Sequence, residues 1–397
     1  MSAGTELYDA VVVGGGPAGA TAATDLARRG RSVLLLDRAG RIKPCGGAVP
    51  PRLIGDFDIP DHLIVARITA ARIVSPKARH VDMPIGGFVG MVDREEFDEW
   101  LRERAVSAGA VRRTGSFERL DRAADGSLLV RYRPGREGSA IATVRARALV
   151  GADGANSAVA RHAMPGNGRT PFVFAYHEIV RSPATSSDGF DAARCDVYYR
   201  GALSPDFYGW VFPHGATTSV GVGSANKGFA LREAVGALRE TAGLDDAPTI
   251  RREGAPIPLR PLSRWDNGRD VLLAGDAAGV VAPASGEGIY YAMASGRLAA
   301  EALDARLAGA DGRVLAEARK SFMKAHGMVF RALGMMQRFW YSSDDRRERF
   351  VKICRDRDVQ QLTWDAYMNK ELVRARPLAH ARIFVKNIAH LTGIASA

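Results

Sequence analysis

The sequence predicts an α/β fold, α+β overall. One domain is a parallel sheet assembled from separated segments, a β-sheet domain is interleaved with it, and a helical C-terminal region follows. Three observations carry this. The chain opens on an apolar strand, a glycine turn, a helix and a second strand ending in an acid. It returns to strand-then-glycine elements near residues 150 and 275. Between those returns the pattern turns β-rich and aromatic, and from Gly312 it turns helical. The first domain is expected over 1–67, 88–169 and 266–310, the second over 68–87 and 170–265, and the helical region over 311–397.

Ala10–Val13 is an apolar, β-branched run without a polar break, which suits a buried parallel strand. Gly14-Gly15-Gly16-Pro17-Ala18-Gly19 fits G-x-G-x-x-G, the turn in which glycines let the backbone approach a pyrophosphate at a helix N-terminus. Pro17 lacks an N–H and suits a first helical turn. Thr21–Arg29 is alanine- and leucine-rich at helical spacing, and Gly30 supplies a stop. Ser32–Leu36 is a second apolar strand. Asp37, 18 residues after Gly19, is placed to accept hydrogen bonds from an adenosine ribose. This order of elements marks a Rossmann-like dinucleotide site; by itself it does not distinguish FAD from NAD.

Length and composition narrow the class. A chain of 397 residues with 46% apolar and 25% charged residues has an ordinary globular composition and room for two domains or one large composite one. No apolar stretch approaches the ~20 residues of a membrane-spanning helix. Met1–Tyr8 lacks the charged start and apolar core of a signal peptide, so a cytoplasmic location is expected. Cys45, Cys195 and Cys354 are too few for a disulfide framework and point to a reducing compartment, and no Cys/His spacing resembles a metal site. The net charge of +11 comes from scattered arginines without a nucleic-acid recognition module. A diphosphate-bearing substrate, a membrane surface and a simply solvated basic surface all fit that charge.

Further along, Arg38–Pro51 is a Gly/Pro-rich loop with Cys45 at its centre. Ile68–Pro84 alternates around a Ser75-Pro76 turn, as a hairpin does. Asp93–Ala108 reads as a helix with Asp93 as N-cap, Glu96 completing a capping box, and Phe97, Trp100, Leu101 and Ala105 on one face. Residues 110–148 form an expected meander with turns at Asp125-Gly126 and Pro134-Gly135. Ala148–Arg161 is another strand, turn and helix. In the β-rich stretch that follows, Leu231–Thr241 is helical. Asp270–Gly275 is a buried strand, followed by a loop to Gly288 and a helix to about Leu307.

Two further constellations carry chemistry. Gly151-Ala152-Asp153-Gly154 ends a strand, where an acid can also simply cap the next helix. Val271–Gly288 places Asp276 after Gly275, and Pro283–Gly288 then offers backbone N–H groups at a helix start. Together the three elements, GxGxxG, DG and GD in order, resemble the FAD-dependent oxidoreductases of the p-hydroxybenzoate hydroxylase fold. The resemblance implies an FAD site built from Gly14, Gly16, Ala18, Gly19, Asp37, Arg38, Arg94, Asp153, Gly275, Asp276, Gly286, Gly288 and Ile289. In it Asp37 serves the ribose, Asp276 the ribitol, and Gly286–Ile289 the isoalloxazine.

Lys43-Pro44-Cys45-Gly46-Gly47-Ala48-Val49-Pro50 looks like the PCGGAxP loop of geranylgeranyl reductases in chlorophyll and bacteriochlorophyll synthesis. Tyr208-Gly209-Trp210-Val211-Phe212-Pro213, seven residues and Gly221-Val222-Gly223 match their YxWxFP(x7)GxG motif. On a strand Tyr208, Trp210 and Phe212 share one face, as the wall of a prenyl tunnel or as ordinary sheet core. The resemblance implies a substrate site of Cys45, Gly46, Gly47, Tyr208, Trp210, Phe212, Pro213, Gly221 and Gly223. Cys45 and Tyr208 are the catalytic candidates, while His177 and His214 read as structural residues more than as catalysts, and Tyr290-Tyr291 as ring contacts or packing. The implied activity is reduction of three of four geranylgeranyl double bonds to phytyl, on the diphosphate or the (bacterio)chlorophyll ester. FAD is the cofactor and NADPH the transient donor, with reduced ferredoxin as the alternative because no second GxGxxG is present. An archaeal-type reductase of lipid precursors, a flavin monooxygenase or halogenase, and a redox-inactive flavin carrier are the competing classes. Ala325–Ala397 has 13 Lys/Arg against 7 Asp/Glu beside Met and aromatic residues. That composition suits a peripheral contact with an anionic, photosynthetic membrane or a bundle capping the substrate cavity.

Overall fold

The computed structural model describes residues 6–38, 40, 42–135, 140–167, 170–187 and 189–370. The chain forms two compact units. The first comprises the described residues of Met1–Lys43, Arg94–Phe172 and Pro256–Phe330, the second those of Pro44–Asp93, Val173–Ala255 and Arg331–Ala397.

In the first unit, strand Leu7–Val13 lies between parallel strands Val33–Asp37 and Ala142–Gly151. Val111–Arg122 extends this layer beside Val33–Asp37, and Val271–Leu273 extends it beside Ala142–Gly151. Val11, Val12, Leu34, Leu35, Leu149 and Val150 are all fully buried. Such unbroken burial marks parallel strands covered on both faces. The expected meander is present, with Leu128–Pro134 antiparallel to both neighbours, but its outer strands also belong to the parallel layer. Helix Pro17–Arg28 ends before Gly30, which takes the left-handed conformation expected of a stop (φ +78°). Helix Ile289–Leu307 crosses it closely, since a Cβ on Gly296 would lie 2.2 Å from the Ala18 carbonyl oxygen.

The second unit is built on an eight-stranded sheet. Its order is Thr249–Pro258, Phe172–Arg181, Thr217–Ser224, Gly209–His214, Arg194–Tyr198, Ala66–Val74, His80–Met91, Ala48–Val49. The predicted hairpin turns at Ser75, whose N–H donates to the Arg79 carbonyl (2.8 Å). Helix Leu231–Thr241 is as expected and packs Val235 and Leu238 on one face of the sheet, against Val211, Val220 and Val222. On the other face Phe212 joins Ile68, Ile85, Val89 and Met91, covered by Trp364, Tyr367 and Met368 of helix Arg357–Asn369.

The division therefore falls elsewhere than expected. Strand His80–Met91 pairs along its length with Ala66–Val74 and, at its end, with Ala48–Val49. It cannot be cut at residue 87, and the Cys45 loop belongs with the second unit. Nor is the helical tail a third unit: up to Phe330 it belongs to the first, and its described remainder to the second. Arg347, 2% exposed, fastens that remainder. It donates to the carbonyls of Pro205 and Tyr341 and to Asp344 (2.7 Å), and Asp344 accepts the Gly201 N–H (2.8 Å). Residues 371–397 of the expected helical region lie outside the described residues. No described helix is long and apolar enough to cross a membrane.

Candidate active site

In the first unit the three glycine motifs meet. A Cβ on Gly14 would lie 2.3 Å from the Ala152 carbonyl oxygen, and one on Gly275 would lie 2.7 Å from the Ala18 methyl. Ala18 thus packs the first motif against the third. Asp37 closes the opening turn by accepting the Gly15 N–H (3.0 Å). Arg102, which the motifs did not mark, stands 3.5 Å from Asp37 and donates to the Gly15 carbonyl (3.3 Å). Arg38 is exposed at the end of the strand. Arg94 is buried and holds Asp98 through two hydrogen bonds (2.9 and 2.7 Å). The spacing of Arg94, Asp98 and Arg102, each four residues on, was the available signal for one polar face of helix Arg94–Ser107.

Asp153 accepts from the Ser157 hydroxyl (2.5 Å) and from the Ala158 and Val159 N–H groups (2.6 and 3.1 Å), so its carboxylate serves the start of helix Ala158–Ala163. Asp276 is paired with Lys43, another residue not foreseen. Gly275 donates its N–H to the buried Ser295 hydroxyl (2.9 Å), which pins the GD turn to helix Ile289–Leu307. The loop before that helix is tight: Ala282 donates to Glu287 (2.8 Å), Gly286 donates to Ala282 (3.0 Å), and Ala284 holds a left-handed φ of +64°. Tyr290 and Tyr291 are packing residues, both buried, with Tyr291 edge-on to Phe322, His326 and Phe330.

These residues fit a dinucleotide such as FAD. Gly16 caps helix Pro17–Arg28 and Gly288 caps Ile289–Leu307, where buried Ile289 is the first residue. Neither helix has a side-chain cap or an acid in its first turn. A Cβ on Gly16 would have nothing within 4 Å. Both N-termini thus offer N–H donors and positive dipole ends, one over open space.

The second unit gathers the other motifs. Tyr208 stacks on Phe207 (4.2 Å between centroids) and lies 6.1 Å from Trp210, which lies 6.4 Å from Phe212. The expected row on one face is present, although Tyr208 precedes the strand. Pro213 alternates to the opposite face. Gly221 pairs with Trp210 across the strands, and its Cβ would lie 2.2 Å from the indole; a Cβ on Gly223 would lie 2.8 Å from the Phe207 ring. YxWxFP and GxG are therefore two halves of one packing device, in which bare backbone makes room for rings. The PCGG loop lies on the same strand, with Gly46 against Phe212 and Gly47, left-handed at φ +71°, against His214. Cys45 is half-buried, its Sγ accepting the Gly47 N–H (3.4 Å). Burial pushes the Cys354 thiol up to about 12 and raises that of Cys195 as well, so neither is a thiolate at neutral pH. His177 is buried in hydrogen bonds to Ser219 and Glu253.

His214 Nδ1 donates to the Phe212 carbonyl (3.0 Å), yet burial outweighs this and pushes the imidazole down to about 4. Held neutral when folded, His214 gains its proton mainly on unfolding. Its contribution is full above the ordinary histidine range and is lost as pH falls from about 6.5 toward 4. The urea midpoint of the wild type should therefore fall more steeply across that window than that of His214→Gln. Parallel curves would show that the imidazole is not the group responsible.

Comparison with known proteins adds the following. An FAD binding domain family matches residues 80–326, and an NAD(P)-binding Rossmann-like domain family matches residues 12–59. A geranylgeranyl diphosphate reductase of Rhodobacter capsulatus is 58% identical over 98% of both chains. A chloroplastic geranylgeranyl diphosphate reductase of Oryza sativa is 37% identical over 96% of this chain and 85% of its own. A digeranylgeranylglycerophospholipid reductase of Methanopyrus kandleri is more distant, 32% identical over 74% of this chain and 80% of its own. Among solved structures, a geranylgeranyl bacteriochlorophyll reductase-like protein from Thermoplasma acidophilum superposes with a TM-score of 0.81. It is 23% identical and covers 95% of this chain and 100% of its own, a likeness of fold.

Proposed function

Because the chain belongs to the geranylgeranyl diphosphate reductases, a family of FAD-binding flavoproteins, we propose that it saturates three of the four double bonds of a geranylgeranyl group. The product is the phytyl group of (bacterio)chlorophyll, and the substrate is the free diphosphate or the pigment ester. The observation that carries this reading is the apolar row of Tyr208, Trp210 and Phe212 with the Cys45 loop against its Phe212 end.

An isolated trisubstituted alkene accepts hydride poorly, so each step needs a hydride on one carbon and a proton on its neighbour. FAD, when bound and reduced, supplies the hydride. The Gly14–Gly19 turn, the Gly288 helix start, Asp37 and Asp276 would hold that cofactor, and Arg94, steadied by Asp98, would complete the contact. The aromatic row orients the chain and excludes water. The thiol of Cys45 and the buried phenol of Tyr208 are the groups assigned to the proton. NADPH, binding transiently, is the assigned donor, with reduced ferredoxin as the other candidate.

The test is anaerobic incubation of the FAD-loaded protein with geranylgeranyl diphosphate or a geranylgeranyl bacteriochlorophyll ester, with each donor, followed by mass analysis of the tail. Stepwise gains of two hydrogens are expected. No mass change with any pairing, or gain of one oxygen when the incubation is repeated in air, would overturn the proposal.

A further inference from the structure

We propose that Glu253, His177 and Ser219 are positioning residues that fix the Trp210 indole, and that the fixed ring governs how completely a prenyl chain is reduced. This rests on the reading above that the aromatic row takes a prenyl chain.

Trp210 is 6% exposed, and its Nε1–H donates to the Ser219 hydroxyl (3.0 Å). Ser219 lies 2.9 Å from Nδ1 of His177, itself 2% exposed, and Nε2 of that ring lies 3.0 Å from a Glu253 carboxylate oxygen. Chemistry orders these contacts. An indole N–H can only donate, so the Ser219 oxygen accepts it and turns its own proton to His177 Nδ1; Nε2–H is then left to donate to Glu253, which when ionised can only accept. The chain runs in one direction, and Glu253, which also pairs with Arg251 (2.6 Å), anchors its far end. Its members come from four adjacent strands, Thr249–Pro258, Phe172–Arg181, Thr217–Ser224 and Gly209–His214.

Gly221 makes the arrangement possible. It registers with both Trp210 and His177, and its missing side chain leaves the space into which the indole extends. The Trp210 and His177 rings lie 6.1 Å apart at 45°. Within the aromatic row, Trp210 is thus held from behind by polar groups, while Phe212 is held by apolar packing alone. A geranylgeranyl group presents its double bonds one isoprene unit apart, so successive reductions require the chain to stop at distinct depths. A ring whose plane is fixed gives each stop the same wall. A loosened ring lets the chain bind at mixed depths and leave early.

The experiment compares wild type with Ser219→Ala, Glu253→Leu and Glu253→Gln, all FAD-loaded. Loss of one buried hydrogen bond in Ser219→Ala, and of one together with the Arg251 ion pair in Glu253→Leu, predicts a KM higher by about threefold to tenfold and a product pool shifted toward species with one or two bonds reduced. NADPH-dependent flavin bleaching, read without prenyl substrate, should stay within about twofold of wild type. The near-UV circular dichroism that Trp210→Phe removes should also weaken. Glu253→Gln keeps an acceptor for His177 and should recover most of the wild-type product ratio. If Ser219→Ala does not fold, the Glu253 pair decides. Wild-type product ratios and KM in both Ser219→Ala and Glu253→Leu, or equal defects in Glu253→Leu and Glu253→Gln, would overturn the inference. A wild type that reduces neither prenyl substrate would instead overturn the proposed function, and is seen before any variant is made.

Discussion

Gly19→Ala is expected to abolish flavin binding and to destabilise the first unit, whereas Gly16→Ala, three residues away, should abolish binding alone. At Gly19 a Cβ would lie 1.9 Å from the Gly14 carbonyl oxygen and 3.1 Å from the Ala152 methyl. The nearer obstacle is backbone, which has no rotamer to escape into. The turn must open, and Gly14 is itself held against Ala152, so the strain passes to the end of strand Ala142–Gly151. Overpacking of this kind costs about 1–3 kcal/mol or more, and about 2–4 °C of Tm accompanies each kcal/mol in a domain of this size. At Gly16 the backbone is extended (φ −76°, ψ −177°), a conformation alanine adopts freely, and the Cβ position is open. Exchanging glycine for alanine at such a cap costs about 0.5–1 kcal/mol. That methyl stands where a pyrophosphate would have to approach the helix N-terminus. Flavin absorbance per chain after desalting, read beside the melting temperature, separates the two. Both variants should carry under about a tenth of the wild-type flavin, and only Gly19→Ala should melt clearly lower. Full flavin in Gly16→Ala would remove the dinucleotide from that helix end.

The contrast explains why the first unit was legible in the sequence. A G-x-G-x-x-G turn is demanded by backbone clashes within a few residues, so the chemistry and its spelling are local. The same holds for Gly30, for the Ser75 turn and for helix Leu231–Thr241, whose bounds follow from their own residues. What escaped was decided by partners distant in the chain. Lys43 reaches Asp276, and Ser295 holds the Gly275 N–H, across separations that no spacing rule covers. The domain bounds failed for the same reason, because strand His80–Met91 belongs to whatever it pairs with.

The tail is the clearest instance. Asp344-Asp345-Arg346-Arg347-Glu348-Arg349 reads as a solvated charge run, and four of the six residues are exposed, with Glu348 half-buried. Arg347 is instead buried under two carbonyls and a carboxylate, with Tyr341 beside it meeting the Tyr199 hydroxyl (3.3 Å). Composition suited a capping bundle and a lipid-binding helix equally. Arg347, Val351 and Cys354 of this segment are buried, while Met328, Met335 and Met336 are exposed on the preceding helix. The aromatic row was half legible in a similar way. Alternation put Tyr208, Trp210 and Phe212 on one face, but the polar chain behind Trp210 is spread over four strands and has no spelling of its own.

Gly221→Ala should separate the two halves of the chemistry more cleanly than any cofactor-site variant. Its Cβ would lie 2.2 Å from Trp210 Cζ2 and 2.5 Å from His177 Cβ. Unlike the obstacle at Gly19, the nearer atom ends a side chain, so the indole can swing away; the His177 Cβ is fixed by its backbone, so strand Phe172–Arg181 must also give by a few tenths of an ångström. Swinging breaks the bond to Ser219 and moves the ring within a packed row, which costs about 1–3 kcal/mol for overpacking and about 1 kcal/mol for the hydrogen bond. The opposite face, packed on helix Leu231–Thr241, is untouched and should keep the unit folded. Residue 221 belongs to the second unit and the nucleotide motifs to the first, so flavin content and NADPH-dependent bleaching should remain those of wild type. Turnover of geranylgeranyl diphosphate should nevertheless fall at least about tenfold, because the wall that orients the alkene has moved. A smaller ring relieves the nearer of the two clashes, so Trp210→Phe combined with Gly221→Ala should be less impaired than the product of the single effects. Strict additivity of the pair would mean that Gly221 does not act through the indole, and undiminished turnover in Gly221→Ala would take the prenyl chain off this face of the sheet.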